Sequence, residues 1–438
     1  MKPTVGMVSL GCSKNRVDSE NLLGFLNEQG YPLVADPADA DIIFVNTCGF
    51  IEPAKVESIE TIFEMAKYKE TGKLKKLFVT GCLSQRYSGD LVEEMPEVDG
   101  FMGVKDYDRV AEMMQQAEEE LRPVFVDGSD RFFTTRRVLT TPKYSAYVKI
   151  SDGCDNKCTY CAIPLIRGKY ESRPFEDIIA ECESLVERGV TEITLIAQDT
   201  SRYGNDFAGH PLMLKQLLKR VSEIEGVHWV RVLYTYPDTV TEELLDAMVS
   251  IPKVAPYLDL PLQHINARML KRMNRRGTPE HIKKLIAACH ERGIITRTTM
   301  IVGFPGETRE EFEELLAFIR EAKFERLGAF AFSPEEGTVA AEMEDQIDEV
   351  EKECRLDELM MMQQHISMAA NEARIGEVCE VLVEGFEEGR WYGRSIKEAP
   401  ETDGNIFFTS DRELEEGMYV TVKITEAEAY DLMGEEIV

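Results

Sequence analysis

Residues 153–161 read Gly153-Cys154-Asp155-Asn156-Lys157-Cys158-Thr159-Tyr160-Cys161, so Cys154, Cys158 and Cys161 share one short loop with C-x3-C-x2-C spacing. Three thiolates can hold three corners of a cubic iron–sulfur cluster and no more. A [4Fe–4S] cluster otherwise takes four cysteines, so a three-cysteine loop leaves one iron open to a small ligand. Structural zinc requires four ligands, commonly in pairs, and neither Cys nor His occurs in the twenty residues after Cys161. Disulfides are disfavoured by the lack of an apolar secretory leader and by ten cysteines spread over a long chain. These features predict a reducing compartment, with the cytoplasm as the default.

A second trio occupies the N-terminal third. Cys12, Cys48 and Cys82 each follow an apolar, strand-like run (Val5 to Leu10, Asp41 to Asn46, Lys76 to Thr80), and helix-like sequence follows each. In an open parallel α/β sheet, ligands bind at the carboxyl ends of strands. Three cysteines on three such ends converge on one site, whereas unrelated buried thiols would scatter along strands and helices. The spacing therefore predicts a second three-cysteine cluster. Cys182, Cys289, Cys354 and Cys379 sit in amphipathic, charged or alternating stretches and read as packed or surface side chains.

The elements that must position these residues follow from hydrophobic periodicity. Residues 1–130 alternate strand and helix, the helices spanning Val17 to Gln29, Pro53 to Lys69 and Asp106 to Leu121, as in a small doubly wound α/β domain. Val124 to Lys143 reads as a connector. Residues 140–371 hold six further strands: Ser145 to Ile150, Glu192 to Ala197, Trp229 to Tyr234, Tyr257 to Leu260, Ile294 to Ile301 and Leu327 to Phe332. Amphipathic stretches separate them, which predicts an open parallel βα barrel with its site at the carboxyl ends of the strands. After a charged helix, Glu349 to Asn371, residues 374–438 alternate with glycines between short strands, which predicts a small antiparallel barrel of about five strands.

At 438 residues and a net charge of −30 the chain has room for about three domains and a surface that repels nucleic-acid phosphate and attracts basic partners. No run approaches the length of a membrane span. The last segment, Arg374 to Val438, has 6 basic against 17 acidic residues, which suits a Lys/Arg-rich protein better than a phosphate backbone.

The cysteine triplet, with Tyr160 before its third member, resembles the signature of the radical S-adenosylmethionine (SAM) enzymes. That resemblance implies a partial barrel with the cluster loop after its first strand, SAM bound at the open iron, and reductive cleavage to a 5′-deoxyadenosyl radical. The final segment resembles a TRAM domain, typically a basic RNA-binding module, and its acidity here is a departure. Ser9-Leu10-Gly11-Cys12-Ser13-Lys14-Asn15-Arg16-Val17-Asp18-Ser19-Glu20, Asn46-Thr47-Cys48-Gly49-Phe50, Thr80-Gly81-Cys82, the triplet, Arg167-Gly168, Ser172-Arg173-Pro174 and Gly303-Phe304-Pro305-Gly306-Glu307-Thr308 together look like a methylthiotransferase.

Within that family, Gln198-Asp199-Thr200-Ser201 and the acidic last domain are similar to the branch that methylthiolates an aspartate of small-subunit ribosomal protein number twelve. A tRNA adenosine methylthiotransferase is the alternative, and a non-catalytic iron–sulfur electron carrier a third. The resemblance implies two [4Fe–4S] clusters, an auxiliary one at Cys12, Cys48 and Cys82 and a radical-generating one at Cys154, Cys158 and Cys161. It further implies SAM as methyl donor and radical source; such clusters need a low-potential electron, so a donor such as flavodoxin or ferredoxin is the expected reductant. Tyr160, Gln198, His264, Arg297, Gly303 and Gly306 are the expected SAM or substrate contacts, and Phe330 to Pro334 is expected to help close the pocket.

Overall fold

The computed structural model describes residues 2–119, 121–128, 136–209 and 212–437. The chain is α/β and divides into two compact units. The first comprises Met1–Pro142, Ala146–Leu185 and Ser333–Ala341, and the second Lys143–Ser145, Val186–Phe332 and Glu342–Val438.

In the first unit, β1 (Val5–Ser9), β2 (Ile42–Thr47), β3 (Lys76–Gly81), β4 (Gly100–Met102) and β5 (Val124–Phe125) pair in parallel in that order. These strands are apolar on both faces because helices cover both. Alternation sends Phe44 and Phe78 to one face, with Leu22, Leu26, Val110 and Met113, and Ile43, Val45 and Val79 to the other, with Ile62, Met65 and Leu91. Phe44 and Phe78 stack with ring centroids 5.1 Å apart, and truncating either to Ala should cost about 3–5 kcal/mol.

Leu33 bridges Val5 in parallel. Because β2 already occupies the other side of β1, the chain runs outward through helix Ser13–Glu28 to Leu33 and then returns across β1 to β2. The strand order reverses there, and such a switch point opens a crevice at the carboxyl ends of its strands. The loops after β1 and β2, which carry Cys12 and Cys48, leave from that point.

The segment expected to be a connector does more. It contributes the edge strand β5, and beyond residues 129–135, which lie outside the described residues, it packs onto helix Ser13–Glu28. Val138 N–H donates to Glu20 O at 3.0 Å, Thr140 N–H donates to Glu20 Oε1 at 2.7 Å, and Arg137 is fully buried. The helix expected over Asp106 to Leu121 is shorter, a 3-10 turn at Tyr107–Arg109 leading into Val110–Glu118. β6 (Ser145–Lys149) leads to an antiparallel pair, β7 (Ser151–Asp152) with β8 (Glu171–Ser172), and the cysteine triplet lies between that pair.

In the second unit, β9 (Glu192–Ile196) and β10 (Trp229–Val232) pair in parallel, as do β11 (Tyr257–Asp259), β12 (Ile295–Val302) and β13 (Arg326–Ala331) in that order. Helices Leu214–Ser222, Glu242–Ser250, Pro279–Glu291 and Arg309–Ala322 make the crossovers. Helix Glu349–Glu372 follows, and then a closed barrel of β14 (Val378–Glu387), β15 (Arg390–Ser395), β16 (Ile406–Thr409), β17 (Tyr419–Ala427) and β18 (Leu432–Glu436), ordered β14-β15-β16-β18-β17. Closure leaves no free edge. Val381, Val383, Phe408, Val422 and Ile424 fill the barrel interior.

Candidate active site

Cys12 caps helix Ser13–Glu28, Cys82 opens helix Cys82–Glu94, and Cys48 follows β2 directly. Helix N-termini present unpaired N–H groups and a positive dipole end, which favour thiolate. The three loops meet. A Cβ on Gly11 would lie 3.3 Å from Cys48 Sγ, and one on Gly49 would lie 2.7 Å from Leu83 Cα, so the Cys48 loop touches the Cys12 loop on one side and the Cys82 segment on the other. Fully buried Asn15 ties them together: its Nδ2 donates to Leu10 O at 3.2 Å and Thr47 O at 2.9 Å, and its Oδ1 accepts from Cys82 Sγ at 3.4 Å.

The thiols differ in acidity. Desolvation works against the Cys12 thiolate, but the charges of Lys14 and Arg167 and the N–H groups of Asn15 and Lys14 outweigh it and hold this thiol below its ordinary value. Burial pushes the Cys48 thiol up to about 12, and Cys82 and Cys12 add to that. Burial likewise raises Cys82. No three His, Cys, Asp or Glu side chains among the described residues are close enough to share a single metal ion. The donor set, three thiols on three converging loops, instead suits the corners of a larger cluster with one position left over.

The triplet is fixed from both ends. Gly153 N–H donates to Asp152 Oδ1 at 2.9 Å, and Tyr170 N–H donates to Asp155 Oδ1 at 3.1 Å. Cys154 N–H donates to Gly168 O and Cys161 N–H to Cys158 O, both at 3.1 Å, and Ala340 N–H donates to Thr159 O at 2.9 Å. All three triplet cysteines and Tyr160 are half-buried.

Arg167-Gly168 links the two trios. While Gly168 O holds the Cys154 backbone, the buried Arg167 guanidinium donates from Nη2 to Cys82 Sγ at 3.7 Å and to Asn15 Oδ1 at 2.7 Å. It also pairs with Asp18 at 2.8 Å and Asp152 at 3.2 Å. Burial would favour a neutral guanidine, but Asp18 and Asp152, and then Cys82 and Cys12, hold it charged. Lys149 pairs with the same two carboxylates. Beside this group, Arg137 bridges Glu20 and Glu181 at 3.2 and 3.1 Å, and Arg173 also binds Glu181.

In the second unit, half-buried Gln198 lies two residues beyond β9. His264 is fully buried with both ring nitrogens engaged: Nδ1 accepts the Asn266 N–H and Nε2 donates to Glu307, each at 2.9 Å. Glu307 also accepts from Gly303 N–H at 2.7 Å and from Arg355 at 2.6 Å. The Gly303 to Thr308 motif is thus built around Glu307. The Cα faces of Gly303 and Gly306 abut protein atoms, with a Cβ falling 2.4 Å from Lys352 Cγ and 2.1 Å from Asp345 Oδ2 respectively. Arg297 donates to Asp259 at 2.9 Å. Phe330, near the end of β13, is 57% exposed and so covers no core.

Comparison with known proteins gives the arrangement a family. Residues 4–103 match the uncharacterized protein family UPF0004, residues 148–319 the radical SAM superfamily, and residues 375–437 the TRAM domain. Over 445 residues the chain is 49% identical to the ribosomal protein uS12 methylthiotransferase RimO of Clostridium botulinum (strain Loch Maree), with 99% of this chain and 98% of the relative covered. The chain belongs to the RimO family of radical SAM methylthiotransferases. RimO of Desulforamulus reducens is likewise 49% identical with 99% of each chain covered, and RimO of Thermoanaerobacter sp. (strain X514) is 48% identical with 98% and 99% covered. Membership in the RimO family brings SAM and a [4Fe–4S] cluster as cofactors. The fold extends further, to the radical SAM methyltransferase TsrM of Kitasatospora setae, with a TM-score of 0.58 at 15% identity over 88% of this chain and 82% of that one.

The pairings around the two trios escape a reading of the sequence, although Asp18, Glu20 and Glu307 lie within its motifs. The ion pairs of Asp18, Asp152, Lys149, Glu20, Arg137 and Glu181, and the contacts of Glu307, emerge only when separate segments meet. One local signal exists: helix Ser13–Glu28 buries Lys14, Asn15, Asp18, Ser19, Glu20 and Asn21, and so polar a buried helix must face partners of its own.

Proposed function

We propose that this chain adds a methylthio group to the β-carbon of an aspartyl residue in ribosomal protein uS12, holding one [4Fe–4S] cluster on Cys154, Cys158 and Cys161 and an auxiliary one on Cys12, Cys48 and Cys82. The observation that carries this reading is the meeting of the two trios at Arg167-Gly168, one residue touching Cys82 and the next holding Cys154. When bound, the clusters and SAM supply a carbon radical and a sulfur-borne methyl group, chemistry needed because the aspartyl β-carbon has no usefully acidic hydrogen.

The protein's share is placement. Asn15 sets the spacing of the auxiliary thiols, and Arg167 offsets their negative charge. The Gly168 carbonyl and Asp152 hold the triplet loop, with Tyr160 exposed enough to meet SAM. Gln198 and Arg297 are further candidates for contact. His264, Gly303 and Gly306 support the reading less directly, because their polar atoms or open faces are occupied by Glu307, Lys352 and Asp345.

The partner is a basic protein. Of the six basic side chains after residue 373, Arg374, Arg394, Lys397 and Arg412 are paired with carboxylates. A phosphate backbone would find few cations there. No helix among the described residues is long and apolar enough to cross a membrane. The reductant would be a low-potential donor of the flavodoxin or ferredoxin kind.

The test offers anaerobically reconstituted enzyme both uS12 and unmodified tRNA, with SAM, sulfide and reductant, and reads both by mass spectrometry. A methylthio group on an aspartate of the protein is expected. Modification of tRNA adenosine, or of neither, would contradict the reading.

A further inference from the structure

Lys105 lies on the loop that leaves the carboxyl end of β4, and that loop is pinned. Gln85 Oε1 accepts the Val104 N–H at 3.0 Å, and Gln85 Nε2 donates to Val126 O at 2.9 Å. Val104 shares an apolar cluster with Cys82 of one trio and with Ala162 and Ile166, which follow the other. The next side chain carries its ammonium to Gly168, where an added Cβ would fall 2.8 Å from Lys105 Nζ. Gly168 has φ +71°, a conformation that favours glycine, and its carbonyl is the one that holds Cys154. A positive charge is thus set beside the backbone that joins the two trios.

Among the described residues that charge is not spent. Arg167 and Lys149 face Asp18 and Asp152, two cations against two carboxylates. Lys105 is half-buried and makes no hydrogen bond or ion pair with any described residue. Taking an ammonium partly out of water without a counter-charge is costly, and an arriving anion removes that cost.

The geometry points to Lys105 as the anchor for a carboxylate entering beside the two trios, that of the aspartyl substrate. This rests on the aspartyl reading above. It deepens it, because a carboxylate held at Lys105 Nζ fixes the β-carbon next to it, and fixed geometry of that kind supplies much of the rate of an intramolecular step. The carboxylate of SAM has the same chemistry, so the test must separate the two sources.

Reconstituted wild type, Lys105→Met and Lys105→Arg would be compared for iron content, for SAM affinity, and for binding of uS12 peptides carrying either the target aspartate or asparagine, read by fluorescence anisotropy. Wild type should prefer the aspartate peptide by about 10- to 100-fold, the range for a hydrogen bond between charged groups. Lys105→Met should bind both peptides equally, with iron and SAM affinity unchanged, and Lys105→Arg should restore most of the preference. Weakened SAM binding with the peptide preference intact would assign the carboxylate site to SAM instead. Unchanged preference and unchanged SAM affinity in Lys105→Met, or loss of iron from it, would overturn the proposal. A wild-type enzyme that modifies no protein would instead defeat the substrate reading itself, independently of how Lys105→Met binds.

Discussion

The two units each bury a cluster of ion pairs, and the clusters do different work. In the first, Asp18, Asp152, Arg167 and Lys149 form a charge-balanced group with a thiol, Cys82 Sγ, at its margin. In the second, Glu192 is gripped by Arg231 at 2.6 Å and Arg394 at 2.8 Å, while Arg231 also donates to Ser395 O and Ile396 O. That group ties β9 and β10 to the C-terminal barrel, with Tyr144, Trp229 and Leu382 packed alongside, and touches nothing reactive. Burial and pairing alone therefore do not mark an active site. A nucleophile at the edge of the network does.

Breaking the first network should have the largest effect. Arg167→Ala leaves Asp18 and Asp152 facing Lys149 alone, and should cost about 3–5 kcal/mol, measured by chemical denaturation. It should also lose iron from the auxiliary trio. Arg167→Lys keeps the charge without the planar fork, so it should recover part of the stability and less of the iron.

Breaking the second network should cost stability without iron. Glu192→Gln leaves Arg231 and Arg394 short of a counter-charge, and a loss of about 3 kcal/mol at pH 7 is expected with cluster content unchanged. Burial would raise the Glu192 carboxyl, but the two arginines outweigh it and hold it well below its ordinary value of 4.5. A depressed carboxylate contributes stability that is fully present above its unfolded pKa and is lost as pH falls through the folded one. The gap between wild type and Glu192→Gln should therefore hold at neutral pH and narrow below about pH 4.5. A gap independent of pH would remove Glu192 from this role.

The smallest effect sharpens the rim of the first network. Thr140 Oγ1 donates to Glu20 Oε1 at 2.9 Å beside a backbone N–H that stays in place. Thr140→Ala should cost about 1 kcal/mol and leave iron untouched, and loss of iron would extend the functional network to that rim.

The two cysteine trios stand out in the sequence because a cluster would demand a residue type at a fixed spacing, or at the end of a strand, and both are local properties. Strands and the five-stranded barrel were legible for the same reason, since alternation and turn glycines are local, but the parallel pairing of β16 with β18 was not, where an antiparallel barrel was expected. The network was not. Asp18 and Asp152 lie over a hundred residues apart, and nothing near either names its partner. Lys105 looks like an ordinary loop lysine until Gly168 is beside it. His264 and the Gly303 to Thr308 motif invited a cofactor reading from their place near strand ends. Glu307 braces both, because it accepts from His264, Gly303 and Arg355 at once.

Two cysteine trios that meet at Arg167-Gly168 should each hold a cluster of its own. Iron and sulfide analysis with Mössbauer spectroscopy on reconstituted wild type, Cys154→Ala and Cys82→Ala tests it most directly. About eight irons are expected in wild type and about four in each variant, with SAM cleavage abolished only in Cys154→Ala. Full iron in either variant, or SAM cleavage that survives Cys154→Ala, would contradict it.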